Sequence, residues 1–152
     1  MKKTSLFFAL IVFSSFGVGM SIFDVGKACV FSEVNLKLSY NGKPAIGAKI
    51  WRRISWKKEV ITEFQVDDQG EIELPAVYQR SVTKLLPIEF VVSQVFKVSF
   101  EGQEFEIWIN SKRDPANNSE LGGAPLHLNC ELTDKAELHE EFGALLLTSC
   151  KW

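Results

Sequence analysis

An all-β fold, with antiparallel strands stacked in two layers, is what this 152-residue sequence predicts. Three observations predict it. Apolar and polar side chains alternate from Val34 to Tyr40 with the period of a strand that has one buried face. Turn chemistry recurs between such runs, at Asn41-Gly42, Asp67 to Gly70 and Glu101-Gly102. The hairpin around Glu101-Gly102 also closes in register, with its apolar residues on one face of the pleat.

The first 20 residues read as a leader rather than as part of that fold. Lys2 and Lys3 precede an uncharged run from Leu6 to Phe13, and small residues follow, which is the layout of a cleaved signal peptide. The run is about half the ~20 residues that a bilayer span needs. Ser14, Ser15 and Gly17 interrupt its extension, so no stable membrane insertion is expected after cleavage. Cys29 stands behind "DVGKA", with a lysine two places upstream, an unfavourable setting for lipid attachment. The expectation is export by a bacterial Sec-type route to the periplasm or beyond, leaving residues 21–152 as a single β-sandwich domain.

Removing Lys2 and Lys3 leaves 15 basic against 19 acidic side chains. They are unevenly spread: 11 against 9 from Ser21 to Phe100, and 4 against 10 from Glu101 to Trp152. Phosphate binding needs clustered Lys and Arg, so nucleic acid is not an expected partner. The three cysteines, Cys29, Cys130 and Cys150, are disulfide candidates in an oxidising compartment. Three pairings are open to them, and one thiol is left over.

Asn41-Gly42 turns the first strand, and Pro44 and Gly47 keep the next residues out of a helix. A second strand is expected from Ala48 to Ile54, and "SWKKE" turns it into a third from Val60 to Val66. In "VDDQGEIELPAV" the aspartates can bond backbone while Gly70 takes positive φ, which is a hairpin turn into "EIEL". A calcium loop would want a bidentate glutamate about eleven residues past the first aspartate, where Tyr78 stands. In "FKVSFEGQEFEIWI" a two-residue turn sets Phe100 opposite Gln103, Val98 opposite Phe105 and Phe96 opposite Ile107. Lys97 then shares the other face with Glu104 and Glu106. "NSKRDPANNSELGGAP" is a long loop before a last central strand, Leu126 to Leu132. Beyond it one helical turn capped by Thr133 or Asp134 is expected, then a strand from Ala144 to Cys150.

The run "LSYNGKPAIGAKIWR", followed by "DDQGEIELPAV", resembles the transthyretin-like or carboxypeptidase regulatory-like β-sandwich. Gly42, Pro44, Gly47, Ala48, Asp67, Gly70, Leu74 and Pro75 carry the likeness, which covers Val34 to Pro75. "LPIEFVVSQVFKVSFEGQEFEIW" and "ELGGAPLHLNCEL" resemble small exported bacterial proteins with this sandwich. The resemblance implies Greek-key-like connections, and binding or scaffolding rather than catalysis. Transthyretin-like enzymes acting on ureides carry a histidine-bearing carboxyl-terminal signature that this chain lacks.

Candidate chemistry is sparse. His127 and His139 are the two imidazoles, and Gly143 occupies the place a second histidine would need in a helical zinc motif after "HEEFG". His127 and Cys130 are three apart, which puts them on opposite faces of a strand. Glu104 and Glu106 share a face and read as solvated. Asn117-Asn118-Ser119 fits a glycosylation sequon, to which a bacterial-type leader gives no role. No metal, cofactor or catalytic residue is expected. The remaining cluster is "IWRRISWKK", where Trp51, Arg52, Arg53 and Trp56 mix aromatic anchors with cations, as contact surfaces do. The alternative reading of that cluster is one buried tryptophan with basic residues in water. Together these point to a non-catalytic exported β-sandwich that binds another protein, in one form an immunity or inhibitor protein against a secreted toxin. The alternative is a carrier of a small ligand or glycan in a loop-end cleft.

Overall fold

Alternation becomes strand at the predicted place. In the computed structural model, which describes residues 26–81 and 88–152, the run from Val34 to Tyr40 is a strand with those bounds. The expected signal peptide lies outside the described residues. In chain order the strands are β1 (Lys27–Phe31), β2 (Val34–Tyr40), β3 (Lys43–Pro44), β4 (Lys49–Ser55), β5 (Glu59–Gln65), β6 (Glu71–Leu74) and β7 (Val77–Arg80). There follow β8 (Val92–Phe100), β9 (Gln103–Lys112), β10 (Leu126–Glu131), β11 (Glu137–His139), β12 (Leu146–Thr148) and β13 (Cys150–Lys151).

They form an all-β sandwich. One sheet runs β13-β10-β2-β3, with β6 also on β2; the other runs β11-β12-β9-β8-β4-β5, and β1 and β7 pair as a ribbon. Inward side chains of both sheets, among them Leu36, Leu38, Ile50, Phe96, Val98, Trp108 and Leu128, join one buried cluster. Fully burying a large apolar side chain is worth roughly 1.5–3 kcal/mol, so this interlayer dominates stability. No helix among the described residues is long and apolar enough to cross a membrane.

The "DDQG" segment is a turn held by Asp67 and Gly70. Asp67 Oδ1 accepts from the amides of Gln69 at 2.9 Å and Glu71 at 2.8 Å. Gly70 has φ +76°, and its carbonyl accepts from the Leu38 amide at 2.8 Å. A Cβ at that position would stand 2.7 Å from the Leu38 carbonyl oxygen.

Four expectations are corrected. First, β10 lies parallel to β2, with Leu126 opposite Val34 and Cys130 opposite Leu38. A parallel pair needs a long crossover, and here residues 41–125, which include four strands of the other sheet, lie between the two strands. Second, the helical turn is not at Thr133. Residues 132–134 form a simple turn, and the one short 3-10 helix among the described residues is Ser119–Leu121, inside the long loop. Third, the last strand is divided: β12 pairs with β9, while β13 pairs with β10 in the other sheet. Fourth, the β8–β9 register holds from Phe100 opposite Gln103 through Lys97 opposite Glu106. It then shifts, so Phe96 faces Trp108 and Ile107 is the extra residue of a bulge. Ile107 and Trp108 are consecutive and both buried. The Lys97–Glu104 ion pair forms as expected.

The change of sheet between β12 and β13 settles the cysteines. It sets Cys150 opposite Cys130, with Cα atoms 4.1 Å apart, and the two form the disulfide. Cys29 is free and buried.

Candidate functional site

Strand alternation divides the tryptophan and arginine cluster of β4. Arg52 points inward and is 3% exposed. Its Nη1 donates to the Pro75 carbonyl at 2.6 Å, and the guanidinium lies over the rings of Phe31 and Phe64 at 5.6 and 5.1 Å. Burial lowers its pKa. Arg52 is therefore part of the interior, which departs from both readings of the cluster. Trp56 is half-buried against Phe90, ring centroids 5.0 Å apart, with Lys57 Nζ 4.6 Å over its ring. Trp51 and Arg53 face outward, and Trp51 Nε1 donates to Glu63 at 3.1 Å. Of the four residues predicted as a surface, the structure keeps Trp51 and Arg53 together on the outer face of the six-stranded sheet.

That face carries a row that sequence reading missed. Register places Ile61 opposite Arg53, Arg53 opposite Val95, and Val95 opposite Ile109. It continues with Ile109 opposite Leu147 and Leu147 opposite Leu138. One residue from each of the six strands thus lines up across the sheet, all apolar except Arg53. Ile61 and Leu138 are each 58% exposed, and Leu147 37%. Parallel to the row on one side lie Ser55, Ser93 and Ser111, and on the other Glu63, Trp51, Lys97 and Glu106. Trp51, Arg53, Ile61, Val95, Lys97 and Glu106 line a shallow groove of about 270 Å³. An exposed apolar strip with polar margins is the chemistry of a protein contact.

The other sheet presents the opposite character outward. Asn35 and Lys37 on β2, Glu71 and Glu73 on β6, and His127 and Asn129 on β10 form one polar face. His127 is exposed there while Cys130 turns inward to its disulfide, so the two lie on opposite faces as their spacing requires. His139 sits instead on β11, with Nδ1 3.0 Å from Glu141 and its ring 5.0 Å from that of Trp152. Among the described residues no group of three or more His, Cys, Asp or Glu is placed to hold a metal ion.

A second missed feature is internal. Glu120, in the 3-10 helix, is fully enclosed. Its Oε1 accepts from the Ser32 amide at 3.0 Å and Gln94 Nε2 at 2.9 Å. Its Oε2 accepts from Ser32 Oγ at 2.7 Å and Lys112 Nζ at 2.8 Å. Burial pushes the carboxyl up, but the Lys112 charge and these donors outweigh it and hold it below the usual carboxylate range. Lys112 Nζ also donates to the Ala116 carbonyl at 2.8 Å and Ser119 Oγ at 2.7 Å. Cys29 lies 3.6 Å from Ser32 Oγ, and burial raises its pKa, which favours the thiol over the nucleophilic thiolate. With its carboxylate and ammonium bonded, the cluster acts as a clamp that holds the loop after β9 against β1 and β8. Spacing in sequence gives no sign of it, because Ser32 and Glu120 are 88 residues apart.

A family model described as a domain of unknown function, DUF6795, matches residues 34–135. No curated protein and no solved structure matches the chain.

Proposed function

Since the chain belongs to the DUF6795 family, a domain of unknown function, we propose its role from the molecule's own surface. It is a non-catalytic binding protein, exported to the periplasm, that meets a protein partner through the outer face of the six-stranded sheet. The row from Ile61 to Leu138 carries this reading, because a solvated sheet face has no physical reason to expose Ile61, Leu147 and Leu138 in line with the half-buried Ile109 and the covered Val95. The contrast with the polar face of Asn35, Lys37 and His127 supports the choice of side. The specific form is an immunity or inhibitor protein that covers a secreted toxin, a task needing a rigid contact face and no reactive group. The transthyretin-like assignment belongs to the same proposal. Its support is the shared turn chemistry of Asn41-Gly42 and of Asp67 to Gly70, in which Asn41, Gly42 and Gly70 take positive φ.

The test is site-specific photo-cross-linking in the cells that make the protein. A photoreactive residue at Leu147 is expected to give discrete protein adducts, and one at Asn35 on the opposite face is not. Equal labelling from both positions, or none from Leu147, overturns the reading. A second reading, a carrier of a small ligand or glycan, is favoured by the groove beside Trp51. It requires a change in tryptophan fluorescence on titration with a glycan or apolar small molecule, abolished by Trp51→Ala.

A further inference from the structure

We infer that the outer face of the six-stranded sheet seats a second copy of this chain, an inference that rests on reading that face as a protein contact surface. The observation behind it is the match between β8 and β9 at three successive levels. Ser93 stands opposite Ser111, Val95 opposite Ile109, and Lys97 opposite Glu106. Consider a two-fold axis running parallel to the strands, between β8 and β9, in the plane separating two copies. It keeps the level along the strands and exchanges β8 with β9, β4 with β12, and β5 with β11. Each outward residue of one copy then meets the cross-strand neighbour of its equivalent in the other. Serine meets serine, Ile109 lies over Val95, which is itself 5% exposed, and Lys97 meets Glu106, twice each because the contact is isologous. Farther out, Ile61 meets Leu138 and the stem of Arg53 lies along Leu147. The guanidinium is left to reach the rim, where the acid-rich carboxyl-terminal third lies.

Charge complementarity between Lys97 and Glu106 supports this occupant. Among the described residues Glu106 has no ion pair in its own chain, whereas Lys97 bonds Glu104, so the level carries one acid in excess of its local partner. In the two-fold contact each Lys97 lies between Glu104 of its own copy and Glu106 of the other.

The size fits a reversible dimer. Six strands at about 4.8 Å spacing, with about seven residues of about 3.3 Å each along β4, β5, β8 and β9 and the short β11 and β12 beside them, give a footprint of roughly 500 Å². That lies between a lattice-type contact and the ~800 Å² per partner of a standard interface.

The experiment is sedimentation equilibrium of the purified protein, disulfide intact, from about 1 to about 100 µM, the range a modest interface spans. Wild type is expected to pass from monomer to dimer. Lys97→Glu alone and Glu106→Lys alone each place two like pairs in the contact and should weaken association at least tenfold. Mixed one to one, they restore opposite charges at both positions and should recover the dimer, a rescue that repair within one chain cannot give. Ile61→Asp, at a side chain already exposed, should abolish the dimer and leave the melting temperature in place. Monomer at all concentrations overturns the inference, as does a mixture that stays dissociated or a dimer indifferent to Ile61→Asp. The photo-cross-linker at Leu147 separates the two readings: an adduct with a different protein and no dimer retains the contact face and removes the second copy. No adduct and no dimer removes both.

Discussion

Glu131 belongs to β10 yet closes the turn between β2 and β3. Its Oε1 accepts from the Asn41 amide at 2.9 Å, and its Oε2 from the Gly42 amide at 3.0 Å and Ser39 Oγ at 2.8 Å. The Thr133 hydroxyl adds a bond of 2.7 Å to Oε1. Burial opposes the charged form, but these donors outweigh it and hold the carboxyl down at about 2, against 4.5 ordinarily. A folded pKa below the unfolded one stabilises the fold above the unfolded value, and the benefit is lost as pH falls through the folded value. Glu131→Gln should therefore melt below wild type at pH 7, and the difference should shrink between about pH 4.5 and pH 2. Melting curves at four pH values check this, and a difference independent of pH would refute it. At this scale the sequence was legible only where the chemistry is local. Asp67 bonds amides two and four residues on, so its role could be read directly. Glu131 reaches the Asn41 amide 90 positions away and Glu120 reaches Ser32 at 88, and their neighbours in sequence say nothing of those bonds.

Strands and turns were read well from alternation wherever a turn motif bounded them. The predicted bounds of β2 and β6 match, and those of β4 and β5 differ by one residue. The β8–β9 register failed only past Lys97, where Ile107, Trp108 and Ile109 are three apolar residues in succession and alternation cannot say which is the bulge. For the same reason the contact row was half visible. Trp51 and Arg53 announced themselves by composition, but Val95, Ile109, Leu147 and Leu138 join them only through the order of strands in the sheet. The turn at Gly70 gives the element-level prediction. Gly70→Ala forces a Cβ onto the Leu38 carbonyl at 2.7 Å in a backbone of φ +76°. It should cost about 2 kcal/mol or more, readable in a denaturant melt as a lowered midpoint with unchanged slope. An unchanged midpoint would mean that the turn is not held against β2 as described.

For the molecule as a whole, the disulfide ties the end of the chain to the centre of the five-stranded sheet. Cys130 and Cys150 are separated by 20 residues, and between them the chain visits the opposite sheet as β11 and β12. Closing such a loop is worth roughly 3 kcal/mol in the chain-entropy model. At about 3 °C per kcal/mol for a domain of this size, reduction should lower the melting temperature by about 10 °C. Alanine at both Cys130 and Cys150 should do the same, while Cys29→Ala should leave sensitivity to reductant intact. Equal melting with and without reductant would remove the tether from the stability account.

The parallel pairing of β2 with β10 has a consequence in time. Synthesis delivers β2 early, and its neighbour β10 follows only after residues 41–125. Throughout that interval the apolar side of β2 has only β6 and the short β3 beside it. Non-local pairings of this kind make folding slow, on the scale of milliseconds to seconds, and leave a half-built sheet open to the wrong strand. That edge of β2 stays open until Leu126 has been made.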